Sequence, residues 1–141
     1  MRYHVVAVGR MRAAALRATA DEYGKRLRRY AQVEEREVKD EACLPGAIPD
    51  AARLIAVSRA GELWSSVDLA RWTAQWDQDG REVALVIGGA DGLPTRVLED
   101  AERVWSLSLL TFPHELARVI VLEQLYRAFT IRRGEPYHRA R

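Results

Sequence analysis

Gly88-Gly89-Ala90-Asp91-Gly92 follows Val83-Ala-Leu-Val-Ile87, the most hydrophobic stretch of this 141-residue chain. It therefore reads as a loop at the end of a buried strand. A glycine run in that position lets backbone groups approach a flat or anionic ligand closely. The plainer alternative is a tight strand-to-helix turn that needs positive φ. Two nucleotide fingerprints are absent: Ile87 stands where G-x-G-x-x-G requires its first glycine, and no Gly-Lys-Ser/Thr follows. Two of the three histidines are also placed for chemistry. His114 closes Thr111-Phe-Pro-His114 at a strand-to-helix junction, and His138 lies in the terminal Tyr137-His138-Arg139. Imidazole can accept, donate or orient a proton near neutral pH. His4 falls inside a strand pattern and reads as structural. Cys43, the one cysteine, stands in a proline-containing loop with no C-x-x-C or H-x-x-x-H companions. It is expected to be a buried or incidental thiol, and no metal site is expected. The absence of G-x-S-x-G gives no sign of a Ser-His-Asp set.

Charge adds a second theme. The net charge is only +2, but Arg118 to Arg141 holds six arginines (118, 127, 132, 133, 139 and 141) against Glu123 and Glu135. Lys25-Arg26-Leu27-Arg28-Arg29 forms another cluster. Either run alone reads as a solvated face; together they keep RNA in play, because guanidinium matches phosphate in shape and stacks on bases.

These residues need elements to position them. Tyr3 to Val8 alternates as a strand and ends at Gly9. From Ala13 to Tyr30, Leu16, Ala20, Tyr23 and Leu27 recur at helical spacing. Val33 to Val38 is a short polar edge strand, Lys39 to Asp50 a loop, and Arg53 to Ser58 a third strand. Ser65 and Ser66 offer an N-cap to a helix carrying Leu69, Trp72 and Trp76 on one face and ending at Gly80. After the Val83–Ile87 strand, Pro94 suits the start of a short helix to Ala101. Val104 to Leu110 is a last strand, and Pro113 starts a helix reaching Phe129. Alternating strands and helices predict an α/β fold: a largely parallel sheet flanked by helices on both faces, in one domain over 1–141. Such sheets bind ligands at the carboxyl ends of their strands, here after Val57, at Gly88–Gly92 and at Leu109–His114. The apolar run at the N-terminus is too short for a secretory signal, and no run approaches a membrane span. A reducing cytoplasm and no membrane partner are expected.

The segment VIGGADGL (86–93), then WSLSLLTFPHELARVIVLEQLYRAF (105–129) and the terminal EPYHR (135–139) closely resemble the RlmH-type SPOUT methyltransferases. YHVVAVGR near the N-terminus and W-x-x-D-G-R from Trp76 to Arg81 resemble the same family, so the resemblance covers nearly the whole chain. It implies an S-adenosylmethionine-dependent enzyme that methylates N3 of a pseudouridine in 23S rRNA of the large ribosomal subunit. It further implies a C-terminal trefoil knot and a homodimer; periodicity alone argues against a knot, since knots are so rare. Carried across, cofactor contacts fall on Val57, Gly89, Leu109, Leu110, Thr111, Phe112, Pro113 and His114. His138 is the first candidate to receive the N3 proton and His114 the second. Tyr137 would stack on or hydrogen-bond the base, while Arg127, Arg132, Arg133 and Arg139 would hold phosphates. The chain departs from the family between its second and third strands, where Lys39–Asp50 abbreviates a segment about a dozen residues longer. The dimer is expected to bury a second apolar stripe on the last helix, from Leu116, Val119, Ile120, Leu122, Leu125, Tyr126 and Phe129. Rival readings are a non-catalytic RNA- or ribosome-binding module that kept the fold, and an α/β enzyme for a small molecule.

Overall fold

The computed structural model describes residues 1–137. Strands β1 (Arg2–Val8), β2 (Gln32–Val38), β3 (Arg53–Leu63), β4 (Val83–Ile87) and β5 (Arg103–Ser106) form one parallel sheet in the order β2-β1-β4-β3-β5. All five residues of β4 are buried, as a central parallel strand covered on both faces must be. The alternation of side chains divides the core in two. Tyr3, Val5, Leu85 and Ile55 face α1 (Ala14–Leu27), α3 (Ser66–Asp79) and α5 (His114–Arg132). Val6, Ala84 and Val86 face α2 (Leu44–Ala47) and α4 (Thr95–Asp100). The α/β class, the parallel sheet and the edge position of β2 match the expectation.

Four local expectations change. Lys39–Asp50 is not only loop: Asp40 caps a 3-10 turn at Glu41–Cys43 through its carboxylate, and α2 follows, with Leu44 and Ala47 plugging the smaller core. Cys43 is exposed rather than buried, which leaves the incidental reading. The third strand continues past Ser58 because its register slips between Val57 and Glu62, both of which pair with Trp105. Residues 58–61 therefore bulge out of the ladder, a device that re-aims side chains beside functional sites. The last strand stops at Ser106, where Ser106 Oγ donates to the Ser108 carbonyl and Ser108 Oγ accepts from Leu110 N, turning 107–110 out of the sheet.

Helix α5 packs against both α1 and α3. Val119, Leu122, Leu125 and Phe129 are thereby buried within the one chain, and only Leu116, Ile120 and Tyr126 of the expected stripe stay half-buried. Sandwiching accounts for the four buried residues, while Leu116, Ile120 and Tyr126 keep exposed area. Arg118 is 3% exposed and joins Glu35 at 3.0 Å and Glu37 at 2.8 Å, tying α5 to the polar edge strand. Burial would raise the Glu37 carboxyl, but Arg118, the Met11 N–H and Arg17 together outweigh it and hold the group below the usual glutamate range. His4 is structural, with Nε2 2.7 Å from Glu82.

Candidate active site

The three strand-end loops converge. They and the first turn of α5 enclose a cleft of about 530 Å³ at the carboxyl edge of the sheet. Val57, Gly89, Leu110, Thr111, Phe112, Pro113 and His114 all line it. Leu109 does not; it lies beside the cleft, 73% exposed. The N-cap of α5, Pro113, has no side-chain hydrogen bond of its own.

The glycine loop owes its composition to close approach more than to φ. A Cβ on Gly88 would sit 2.5 Å from the carbonyl carbon and oxygen of Gly92, and one on Gly89 would meet Glu41 Oε2 at 2.9 Å and Val8 Cγ1 at 3.0 Å. Positive φ falls on Gly92, at 78°. Gly92 N donates to Gly89 O at 3.0 Å and closes the turn.

Sequence reasoning missed Ser58 and Arg59, which the bulge in β3 carries into the cleft wall. Arg59 Nη1 donates to Thr111 Oγ1 at 2.6 Å, joining two of the three loops. Its one sequence signal is its place two residues after Val57. The β1–α1 loop was missed as well. Gly9, at φ 83°, brings the backbone beside His114: a Cβ there would stand 3.9 Å from His114 Nε2. Glu115, the next residue of α5, accepts from Arg12 N at 2.9 Å and Ala13 N at 3.0 Å. It thus holds the backbone that leads into α1, whose N-cap, Ala13, has no side-chain hydrogen bond of its own.

The C-terminal residues go elsewhere. Tyr137 Oη donates to Glu123 at 2.9 Å and lies 3.0 Å from Tyr23 Oη, with its ring edge-on to Tyr126. Burial and then the Tyr23 and Glu123 contacts push its phenol well above the ordinary tyrosine range, so it stays a donor. Glu123 is nine residues after His114, about 14 Å along the helix. One chain therefore does not bring Tyr137 to its own cleft. Arg127 pairs with Glu123 through Nε at 2.9 Å and Nη2 at 2.8 Å, and Arg132 pairs with Asp77 at 2.7 Å. Arg133 covers the ring of Tyr30. His138 and Arg139 lie outside the described residues. Among the described residues no group of three or more potential ligand side chains could hold a metal ion, and no helix is long and apolar enough to cross a membrane.

The family described as "Predicted SPOUT methyltransferase" matches residues 1–138. The chain belongs to the SPOUT methyltransferase family. Within that family it is 44% identical over 153 aligned residues to a protein of Anaeromyxobacter sp. (strain Fw109-5) named ribosomal RNA large subunit methyltransferase H. That alignment covers 99% of this chain and 100% of the relative. A protein of the same name from Burkholderia thailandensis is 40% identical over 156 residues, with the same coverage. Both alignments are longer than the 141 residues present here, which agrees with a shortened SPOUT chain. Among solved structures, a probable methylase family protein from Haemophilus influenzae Rd KW20 superposes with a TM-score of 0.62 at 12% identity, over 94% of this chain and 67% of that one. A probable methyltransferase from Bordetella pertussis Tohama I gives a TM-score of 0.59 at 12% identity, over 90% and 95%. These two likenesses concern the SPOUT fold alone.

Proposed function

We propose that this protein transfers a methyl group from S-adenosylmethionine to N3 of a pseudouridine in the 23S rRNA of the large ribosomal subunit, acting in the cytoplasm as a single-domain homodimer with a C-terminal trefoil knot. The observation that carries this reading is the convergence of the Val57, Gly88–Gly92 and Leu109–His114 loops on one cleft. The names of the full-length relatives support the RNA substrate.

The cleft suits the cofactor. Its volume lies within the roughly 300–1,000 Å³ of small-molecule sites. Val57, Leu110 and Phe112 offer apolar walls to an adenine, and the missing Cβ atoms of Gly88 and Gly89 let the glycine loop pack closely on Gly92, Glu41 and Val8 as it forms one side of the cleft. When bound, S-adenosylmethionine supplies a methyl group activated by its sulfonium. The protein's own work is then to orient the base, exclude water and receive a proton. His114, in the cleft wall, can accept the N3 proton through a neutral imidazole or hold the uracil edge. His138 remains the first candidate for that role, and the distance of Tyr137 from His114 along α5 favours its delivery from the partner protomer's tail. Leu109 and Leu110, 73% and 70% exposed, supply apolar surface beside the cleft for a dimer contact.

Calorimetry with S-adenosylmethionine, with mass spectrometry of rRNA from a deletion strain, tests the reading. Expected are micromolar binding and the loss of one methyl group from 23S rRNA. No donor binding would favour the non-catalytic RNA-binding module, and turnover without RNA would favour a small-molecule enzyme.

A further inference from the structure

We infer that Arg10 and Arg12 hold RNA phosphates flanking the target nucleotide, with Arg59, in the cleft wall, adding a third cation. The inference rests on the functional reading above and names the part of the surface that reads the acceptor strand.

The β1–α1 loop is a rigid mount. Gly9 N donates to Val38 O at 2.7 Å, Met11 N to Glu37 at 3.3 Å, and Arg12 N and Ala13 N to Glu115. Met11 is 8% exposed, packed into the larger core, while the residues on either side of it, Arg10 and Arg12, are exposed. Alternation about one buried methionine thus exposes two arginine side chains on the loop whose Gly9 lies beside His114 of the cleft wall. Neither has an acidic partner among the described residues, and the nearby Glu115 carboxylate is turned onto backbone N–H groups. Arg59, also exposed, gives one N–H to Thr111 and keeps the rest of its fork.

The C-terminal arginines are in a different condition. Arg127 and Arg132 are tied to Glu123 and Asp77 and lie over aromatic rings, so a phosphate would have to displace a carboxylate. An arginine with no competing carboxylate can neutralise a phosphate outright and so release the counterion condensed on the RNA there. A pinned loop also loses little freedom when it binds.

The same fork could instead hold the donor's carboxylate, and the test separates the two. Full-length wild type, Arg10→Ala/Arg12→Ala, the Lys/Lys double variant and Arg59→Ala are each titrated with large ribosomal subunits from the deletion strain at two salt concentrations, and with S-adenosylmethionine by calorimetry. The double alanine variant is expected to bind subunits at least tenfold more weakly, with a salt slope shallower by about one to two. Donor affinity and melting temperature of the double alanine variant should be unchanged, the lysine pair should recover part of the loss, and Arg59→Ala should lower the salt slope by about one. Unchanged subunit affinity and slope in the double alanine variant overturn the inference, as does a loss of donor affinity matching the loss of subunit binding. Failure of the wild type to bind the donor overturns the functional reading, while the subunit titration still decides the role of the arginines.

Discussion

Arg59 Nη1 donates a 2.6 Å hydrogen bond to Thr111 Oγ1, so a bulge in the third strand is fastened to the loop that feeds the last helix. Two walls of the cleft are thereby held at a set spacing by side chains 52 positions apart. Thr111→Val keeps the shape of the side chain and removes the acceptor. A solvated hydrogen bond of this kind contributes about 1 kcal/mol, so affinity for S-adenosylmethionine should fall roughly fivefold. Calorimetry that shows no change would mean that the walls hold their spacing without this bond.

The glycine loop separates two effects. Gly88→Ala drives a Cβ into the backbone of Gly92, where nothing can yield cheaply, and should open the turn. Gly89→Val meets the side chains of Glu41 and Val8, which can shift. Both should weaken donor binding, Gly89→Val at least tenfold, about 1.4 kcal/mol. Only Gly88→Ala should also lower the melting temperature clearly. Wild-type donor affinity in a folded Gly89→Val protein would remove this loop from the cofactor site.

Arg118 is the buried centre of an ion cluster with Glu35 and Glu37. Arg118→Met leaves Glu35 without its cation and Glu37 with Arg17 alone, at 2.7 Å. Removing one partner from a buried pair costs roughly 3–5 kcal/mol, and chemical denaturation should show a loss of that order.

The same cluster sets an acid limit. Glu37 titrates lower in the folded protein than in the unfolded chain, so its contribution is present above the usual glutamate range. It is lost as pH falls through the depressed folded value. Wild-type stability should therefore drop below about pH 4 to 5, and Arg118→Met should show a shallower drop. Equal pH slopes in urea titrations of the two proteins would contradict the assignment.

For the tail, truncation after Tyr137 keeps the Tyr137 contacts with Tyr23 and Glu123, so melting temperature and donor affinity should match the full chain. Methylation of large subunits should vanish, and His138→Ala alone should lower chiefly the transfer rate. A truncated enzyme with parental activity would move the proton-accepting role to His114 or to solvent.

Hydrophobic period decided much of this molecule before any tertiary contact is considered. Alternation in Tyr3–Val8, the unbroken apolar run at Val83–Ile87 and the helical spacing through Leu16, Ala20 and Leu27 each write one element, because burial of a strand or helix face is a local pattern. The ends of those strands marked the three loops of the cleft for the same reason. What tertiary structure alone decided involves partners far apart in the chain. Glu115 holds the backbone leading into a helix that begins a hundred residues earlier, Arg59 enters the wall through a register slip at Trp105, and Tyr137 docks on Tyr23 rather than at the cleft. The packing of α5 between α1 and α3 likewise decided which of its apolar residues are core, Val119, Leu122, Leu125 and Phe129, and which keep exposed area, Leu116, Ile120 and Tyr126. No local period encodes these contacts, since each depends on which surfaces the finished sheet brings within a few ångströms of one another.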